Sequence, residues 1–209
     1  MRKTSYALTA LLVAVTTILT VVALTRTDWV VAKYSAFEST YVAKYGLQQT
    51  CQRLVINLPG GGSKFDKLEC RKFPDRKKDD CKDNEYFCAA WNGAGYATEV
   101  SIGFGVLSFL AIIVGVSTHS RRRRIWRAVA GLVTIHAILQ LVAFALVTDL
   151  YRTSGYPTFE DAKLGSGIIL AAISWVLGVL TAISVILTGV AADQGKRWAA
   201  GNRAYQPIN

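Results

Sequence analysis

RRRRIWRAVAGLVTIHAILQLVAFALVT, residues 121–148, begins with five arginines in seven positions and continues for 21 residues with no Asp, Glu, Lys or Arg. About 20 mainly apolar residues, coiled as a helix, cross the hydrocarbon core of a bilayer. Lipid offers backbone groups no hydrogen bonds, so such a run must satisfy them internally as a helix. Arg121, Arg122, Arg123, Arg124 and Arg127 precede the run, and basic residues beside a span mark its cytoplasmic end. This one stretch therefore predicts a membrane helix and its direction.

Working outward, three more runs meet the same criterion, at about 6–24, 99–117 and 165–192, with the run above counted as 128–148. The second helix could start earlier, near Ala89. Transmembrane β-strands would instead show short segments of alternating polarity. The first run is longer than a signal-peptide core and is read as an uncleaved anchor. The chain has 209 residues, of which 52% are apolar and 18% charged, and the charges are segregated between the runs. The expectation is one domain over 1–209, a mainly α four-transmembrane-helix bundle.

Arg2 and Lys3 before the first run, the arginine cluster, and Lys196, Arg197 and Arg203 after the last run all fall on one side by the positive-inside rule. Both termini are expected in the cytoplasm, with loops 26–98 and 149–164 outside. The net charge of +10 then reflects topology and attraction to anionic lipid headgroups rather than a nucleic-acid partner.

All four cysteines, Cys51, Cys70, Cys81 and Cys88, fall in the long outer loop. None is expected in a helix or on the cytoplasmic side. An even count in an oxidising compartment reads as two disulfides. Residues 51–58 and 67–73 have strand character, and Pro59-Gly60-Gly61-Gly62 between them supplies a hairpin turn. A turn centred on Gly60-Gly61 sets Cys51 across from Cys70, which suits a cross-strand bridge and leaves Cys81 with Cys88. The cysteines lack the close pairs of thiolate zinc sites, so no metal is expected. Residues 29–34 and 41–47 are also strand-like. Together these predict a small extracellular antiparallel sheet of about four strands against the outer helix ends. The mixed charges of 75–85 read as a solvated loop.

Trp29, then Gly46-Leu47-x-x-x-Cys51, then Cys70, resembles the claudin signature, and Lys163-Leu164-Gly165-Ser166 with Ser174-Trp175 is similar to the claudin approach to its last helix. Gln48 stands where that signature has its second Trp. Cys81 and Cys88 have no counterpart there, and the run Phe87-Cys88-Ala89-Ala90-Trp91 looks more like fungal claudin-like membrane proteins. The resemblance is thus to the broad claudin, peripheral-myelin-protein and fungal PalI-like superfamily. It implies a protein that organises plasma membrane or cell-surface contacts.

His136 and Gln140 share a face of the third span. They read either as interhelical hydrogen bonds or as part of an ion pathway, the latter making the chain a channel or transporter accessory subunit. Ser174, Gly178 and Ala182 form a small-residue row that can pack the bundle or a second subunit. No catalytic constellation and no cofactor is expected. The expected partners are the bilayer, a lateral homo- or hetero-oligomer, other membrane proteins, or cell-wall components.

Overall fold

The computed structural model describes residues 3–36, 39–56, 65–75, 80–82, 84–117 and 119–200. Its elements are, in order, α1 (Lys3–Thr25), β1 (Val30–Ala36), β2 (Ser39–Tyr45), β3 (Gln49–Ile56), β4 (Phe65–Lys72), α2 (Glu85–Ser117), α3 (His119–Arg152), β5 (Lys163–Leu164), α4 (Ser166–Asp193) and α5 (Arg197–Ala200). Among the described residues, four helices are long and apolar enough to cross a membrane. The protein is an integral membrane protein with four such helices and a small disulfide-bonded antiparallel sheet.

Two helix starts differ from the sequence expectation. α2 starts at Glu85, well before the apolar run, because Asn84 caps it: the Asn84 Oδ1 accepts the Phe87 N–H at 2.9 Å. The added turns also carry their own buried stripe, Phe87, Trp91, Ala94 and Thr98, at helical spacing. Cys88 therefore lies in a helix, contrary to expectation. α3 starts at His119 rather than near 128. Arginine is a good helix former, so the basic cluster is helix and not a loop. The side chains of Arg121–Arg124 lie outside the described residues.

The chain divides into two compact units. The helix unit comprises Met1–Thr20, Val100–Gln140 and Ile173–Asn209. Its core packs Tyr6, Val13, Ile112, Trp126, Val133 and Val185. Large apolar side chains on all four of its helices stay exposed, including Leu11, Leu107, Ile138 and Leu187. A belt of that kind is costly in water and stable in lipid.

The sheet unit comprises Val21–Glu99 and Leu141–Ala172. Its sheet has five strands in the order β4-β3-β2-β1-β5, all pairs antiparallel. The fifth strand was not expected. Lys163 and Leu164 are a two-residue strand, too short for periodicity to reveal, and pair with Val31 and Val30. Val30, Ala32, Ala43, Tyr45 and Thr50 form the buried face, alternating along β1 and β2 with half-buried or exposed neighbours. Val30, Ala32, Ala43 and Tyr45 share one core with Phe87, Trp91, Val147, Leu150, Phe159 and Ile168.

In β3–β4, Cys51 pairs with Cys70 and Ile56 with Phe65. The expected turn at Gly60-Gly61 lies outside the described residues. Cys51 is bonded to Cys70 and Cys81 to Cys88. Non-reducing peptide mapping should recover those two pairs; finding Cys51 with Cys88 would contradict the register. The bridges close sequence separations of 19 and 7. Chain entropy then predicts that Cys51→Ser/Cys70→Ser costs about 3 kcal/mol and Cys81→Ser/Cys88→Ser about 2.5 kcal/mol, read from unfolding in detergent.

Candidate functional site

The sheet unit has a charged knot inside an aromatic cluster. Asp80 keeps only 4% of its side chain exposed. The Arg71 guanidinium grips it as a fork, Nη1 to Oδ2 at 2.5 Å and Nη2 to Oδ1 at 2.8 Å. The Asp75 N–H donates to Oδ2 at 2.9 Å and the Tyr156 hydroxyl to Oδ1 at 3.1 Å. Tyr156 and Phe73, the rings that touch this knot, belong to a cluster with Tyr45, Phe87, Trp91 and Phe159, with ring centroids 4.9 Å apart for Phe87 and Tyr156 and 5.0 Å for Tyr45 and Phe73. The Arg71 charge also sits over the Phe73 ring at 5.9 Å. The expectation of a solvated loop over 75–85 fails at Asp80. One carboxylate is drawn inside because a bidentate cation and two further donors replace its water. Residues 76–79 and 83 lie outside the described residues.

Electrostatics follow from that geometry. Burial alone would raise the Asp80 pKa, but the Arg71 hydrogen bonds, the Asp75 N–H and the Arg71 charge hold it below the ordinary 3.8. Tyr156 moves the other way: burial first, then the Asp80 charge, push it well above its ordinary 10.0. Burial also raises Tyr45, whose hydroxyl accepts from the Thr158 Oγ1 at 2.8 Å.

The signature residues form the frame around this cluster. Trp29 is fully buried, and its indole N–H donates to the Ala23 carbonyl at 2.7 Å. Gly46 turns β2 into β3, and its N–H donates to the Gln49 carbonyl at 2.9 Å. A Cβ there would overlap the Arg26 carbonyl and the Thr27 Cα, so the close approach requires glycine. The Gly46 carbonyl accepts the Trp91 indole N–H at 3.2 Å. Leu47 is buried in the same core. Gln48 is exposed and donates to Glu99 at 2.8 Å.

The intramembrane polar residues meet within the helix unit. Two Ser101 oxygens, the carbonyl at 2.8 Å and Oγ at 2.9 Å, flank the His136 Nδ1. A carbonyl only accepts, so Nδ1 carries a proton. The Gln140 Nε2 donates to the Ser101 Oγ at 2.8 Å. Nε2 of His136 and Oε1 of Gln140 are buried with no hydrogen bond among the described residues. Ser174 joins Thr20 at 2.9 Å and donates to the Thr16 carbonyl at 3.0 Å. A Cβ on Gly178 would stand 3.1 Å from that of Ala137. Ser174, Gly178 and Ala182 are all buried within the unit, so this row serves its own bundle and is not free for a second subunit. Arg127 is exposed, pairs with Asp193 at 3.3 Å and lies over the Trp126 ring.

Asp80, Arg71, Tyr156, Asn84 and Ser101 were not singled out from sequence. Arg71 and Asp80 each adjoin a disulfide cysteine, Cys70 and Cys81, and that adjacency was the available signal. Among the described residues, no group of three His, Cys, Asp or Glu side chains could hold a metal ion. The chain matches no protein-family model, and comparison with curated proteins returns no relative.

The knot predicts a stability plateau with two edges. The Asp80 contribution is complete above pH 3.8 and is lost as pH falls through its depressed pKa. The neutral Tyr156 contribution is complete below pH 10.0 and is lost as pH rises toward its raised pKa. Asp80→Asn should cost about 2 kcal/mol at neutral pH and flatten the acid edge. Thermal unfolding followed by near-UV dichroism across pH measures both; an unchanged acid edge would show that the pair carries no linkage.

Proposed function

We propose that this is a claudin-like surface membrane protein that organises membrane or cell-surface contacts through its disulfide-bonded sheet unit. One observation carries the reading: the sheet is made rigid from both sides. One disulfide crosses β3 and β4, and the other holds the loop that delivers Asp80 into the aromatic core. A rigid domain suits recognition, because little ordering entropy is lost on contact. All four cysteines are in bridges, which favours an oxidising compartment for this unit. Together with the positive-inside rule for the arginine cluster, this supports an outer sheet unit and cytoplasmic termini, and a contact role assigns the protein to the plasma membrane. The kinship rests on Trp29, Gly46, Leu47, Cys51 and Cys70, each of which holds the sheet unit together in a distinct way. Because the Ser174 row is consumed internally, lateral association is assigned to the sheet unit or to lipid-facing side chains.

A second reading has its own observation. His136 Nε2 and Gln140 Oε1, buried without a hydrogen bond among the described residues, are polar atoms that a water file or a passing ion would satisfy. That favours an accessory role in ion passage over an enzymatic one.

A tagged, functional copy should localise to the cell surface and cross-link to defined neighbours through the sheet unit. Diffusion as a lone monomer, in cells and in mild detergent, would count against a contact role. Cysteine labelling should find positions 121–124 protected from outside. A His136→Ala/Gln140→Ala variant should keep surface level and neighbours; loss of an ion flux instead would promote the second reading.

A further inference from the structure

The face of the sheet turned away from the core presents a pattern of cations. Strand alternation places Val31 and Lys33 of β1, Val42 and Lys44 of β2, and Cys51 and Arg53 of β3 on this face. Register then sets the order across strands. Val31 stands between Lys163 and Lys44 in one row, and Val42 stands between Lys33 and Arg53 in the next. Lys33, Lys44, Arg53 and Lys163 are exposed. Lys33, Lys44 and Lys163 make no ion pair among the described residues.

Each cation is displaced by one strand and two residues from the next. With strands about 4.8 Å apart and a rise of about 3.4 Å per residue, successive Cα atoms are roughly 8 Å apart. The result is a zigzag of basic side chains running across the strands from β5 to β3. A groove of about 560 Å³ follows it, lined by Lys33, Lys44 and Arg53 with Thr27, Val42, Cys51 and Leu68, and no acidic residue among the described residues lines it. The apolar floor matters, because Leu68 is 64% exposed and the bridge forms part of the wall.

We propose that this face binds a linear acidic polysaccharide, one carrying carboxylate or sulfate groups along its length. Three observations select that chemistry. The charged residues lining the groove, among the described residues, are the cations Lys33, Lys44 and Arg53, so an anionic chain gains along β1 to β3, while register places Asp66, opposite Val55, farther along the β4 end of the face. β2 and β3 lie between two hydrogen-bonded neighbours, and β1 is paired on its outer side only at Val30 and Val31. An extended peptide would add along an edge instead, at β4 or beyond Val31 on β1, and would not lie across the face. Among the described residues no aromatic side chain lines the groove, so these offer nothing for nucleobases to stack on. The apolar floor between cations suits the apolar faces of sugar rings.

This deepens the reading of the sheet unit as a contact domain, and the two can fail separately. Purified full-length protein in nanodiscs of zwitterionic lipid tests it, with no cellular neighbours present. Heparin and polygalacturonate are the probes, with neutral dextran, polyglutamate and a single-stranded oligonucleotide as comparisons. Heparin or polygalacturonate should bind, dextran should not, and affinity should fall steeply with added salt. Lys33→Gln/Lys44→Gln should weaken binding by about tenfold or more, which is about 1.4 kcal/mol per factor of ten. Lys163→Gln, on the two-residue strand, should weaken it less, and Lys67→Gln, on the opposite face, should leave it unchanged. Peptide mapping of each variant for the Cys51–Cys70 bridge verifies folding. No binding, binding unaffected by Lys33→Gln/Lys44→Gln, or equal affinity for polyglutamate or the oligonucleotide would overturn the proposal. Loss of cellular neighbours with polysaccharide binding intact would count against the contact role alone.

Discussion

The indole of Trp29 joins three parts of the sheet unit at one point. α1 ends at Thr25, and the Ala23 carbonyl in its last turn accepts the Arg26 N–H at 3.2 Å. The Trp29 indole is a second, shorter donor to the same carbonyl at 2.7 Å and ties the end of the helix to the start of the sheet. Its backbone N–H donates to the Tyr45 carbonyl, which sets β1 against β2, and its carbonyl accepts the Gly165 N–H beside β5. Asp28, one residue earlier, accepts from the Ser166 hydroxyl at 2.7 Å at the start of α4. A membrane helix thus passes into a sheet, and the sheet into another helix, without leaving these terminal groups bare.

From that anchor the sheet's buried face is spread over an aromatic floor, and the ion pair is set into the floor. A lone carboxylate at that depth would be costly to desolvate. Arg71, Tyr156 and the Asp75 backbone make it affordable only as a group, which is why both bridge cysteines adjacent to the pair matter. Each bridge restricts the backbone next to one partner of the pair, Cys70 beside Arg71 and Cys81 beside Asp80. The unit thereby gains rigidity from covalent, aromatic and ionic sources that depend on one another.

The helix unit is organised differently. In lipid, apolar surface between helices brings no hydrophobic gain, so close packing and short hydrogen bonds must hold them. Ser101 with His136 and Gln140, and Ser174 with Thr16 and Thr20, are such contacts. Gly178 allows the backbone approach. Large apolar residues face outward as well as into the core, unlike the polar outer surface of a soluble bundle.

The four spans were legible because lipid leaves an uncharged run of this length one option, the helix. The pairing of Cys51 with Cys70 was legible because a hairpin's register depends on local turn chemistry and alternation. Less could be read where the partner is far along the chain. Tyr156 reaches Asp80 across 76 positions and His136 reaches Ser101 across 35. β5 is two residues that become a strand only because β1 offers an open edge. The first turns of α2 looked too polar for a span, and their buried stripe has meaning only once the sheet lies against it. By itself, then, the sequence determined the solvent each segment must inhabit and the local geometry within it. Tertiary structure alone decided which charge could be buried, which small residues were already in use, and that four basic residues from four strands share one exposed face. Those outcomes depend on desolvation and packing between segments that no local pattern records.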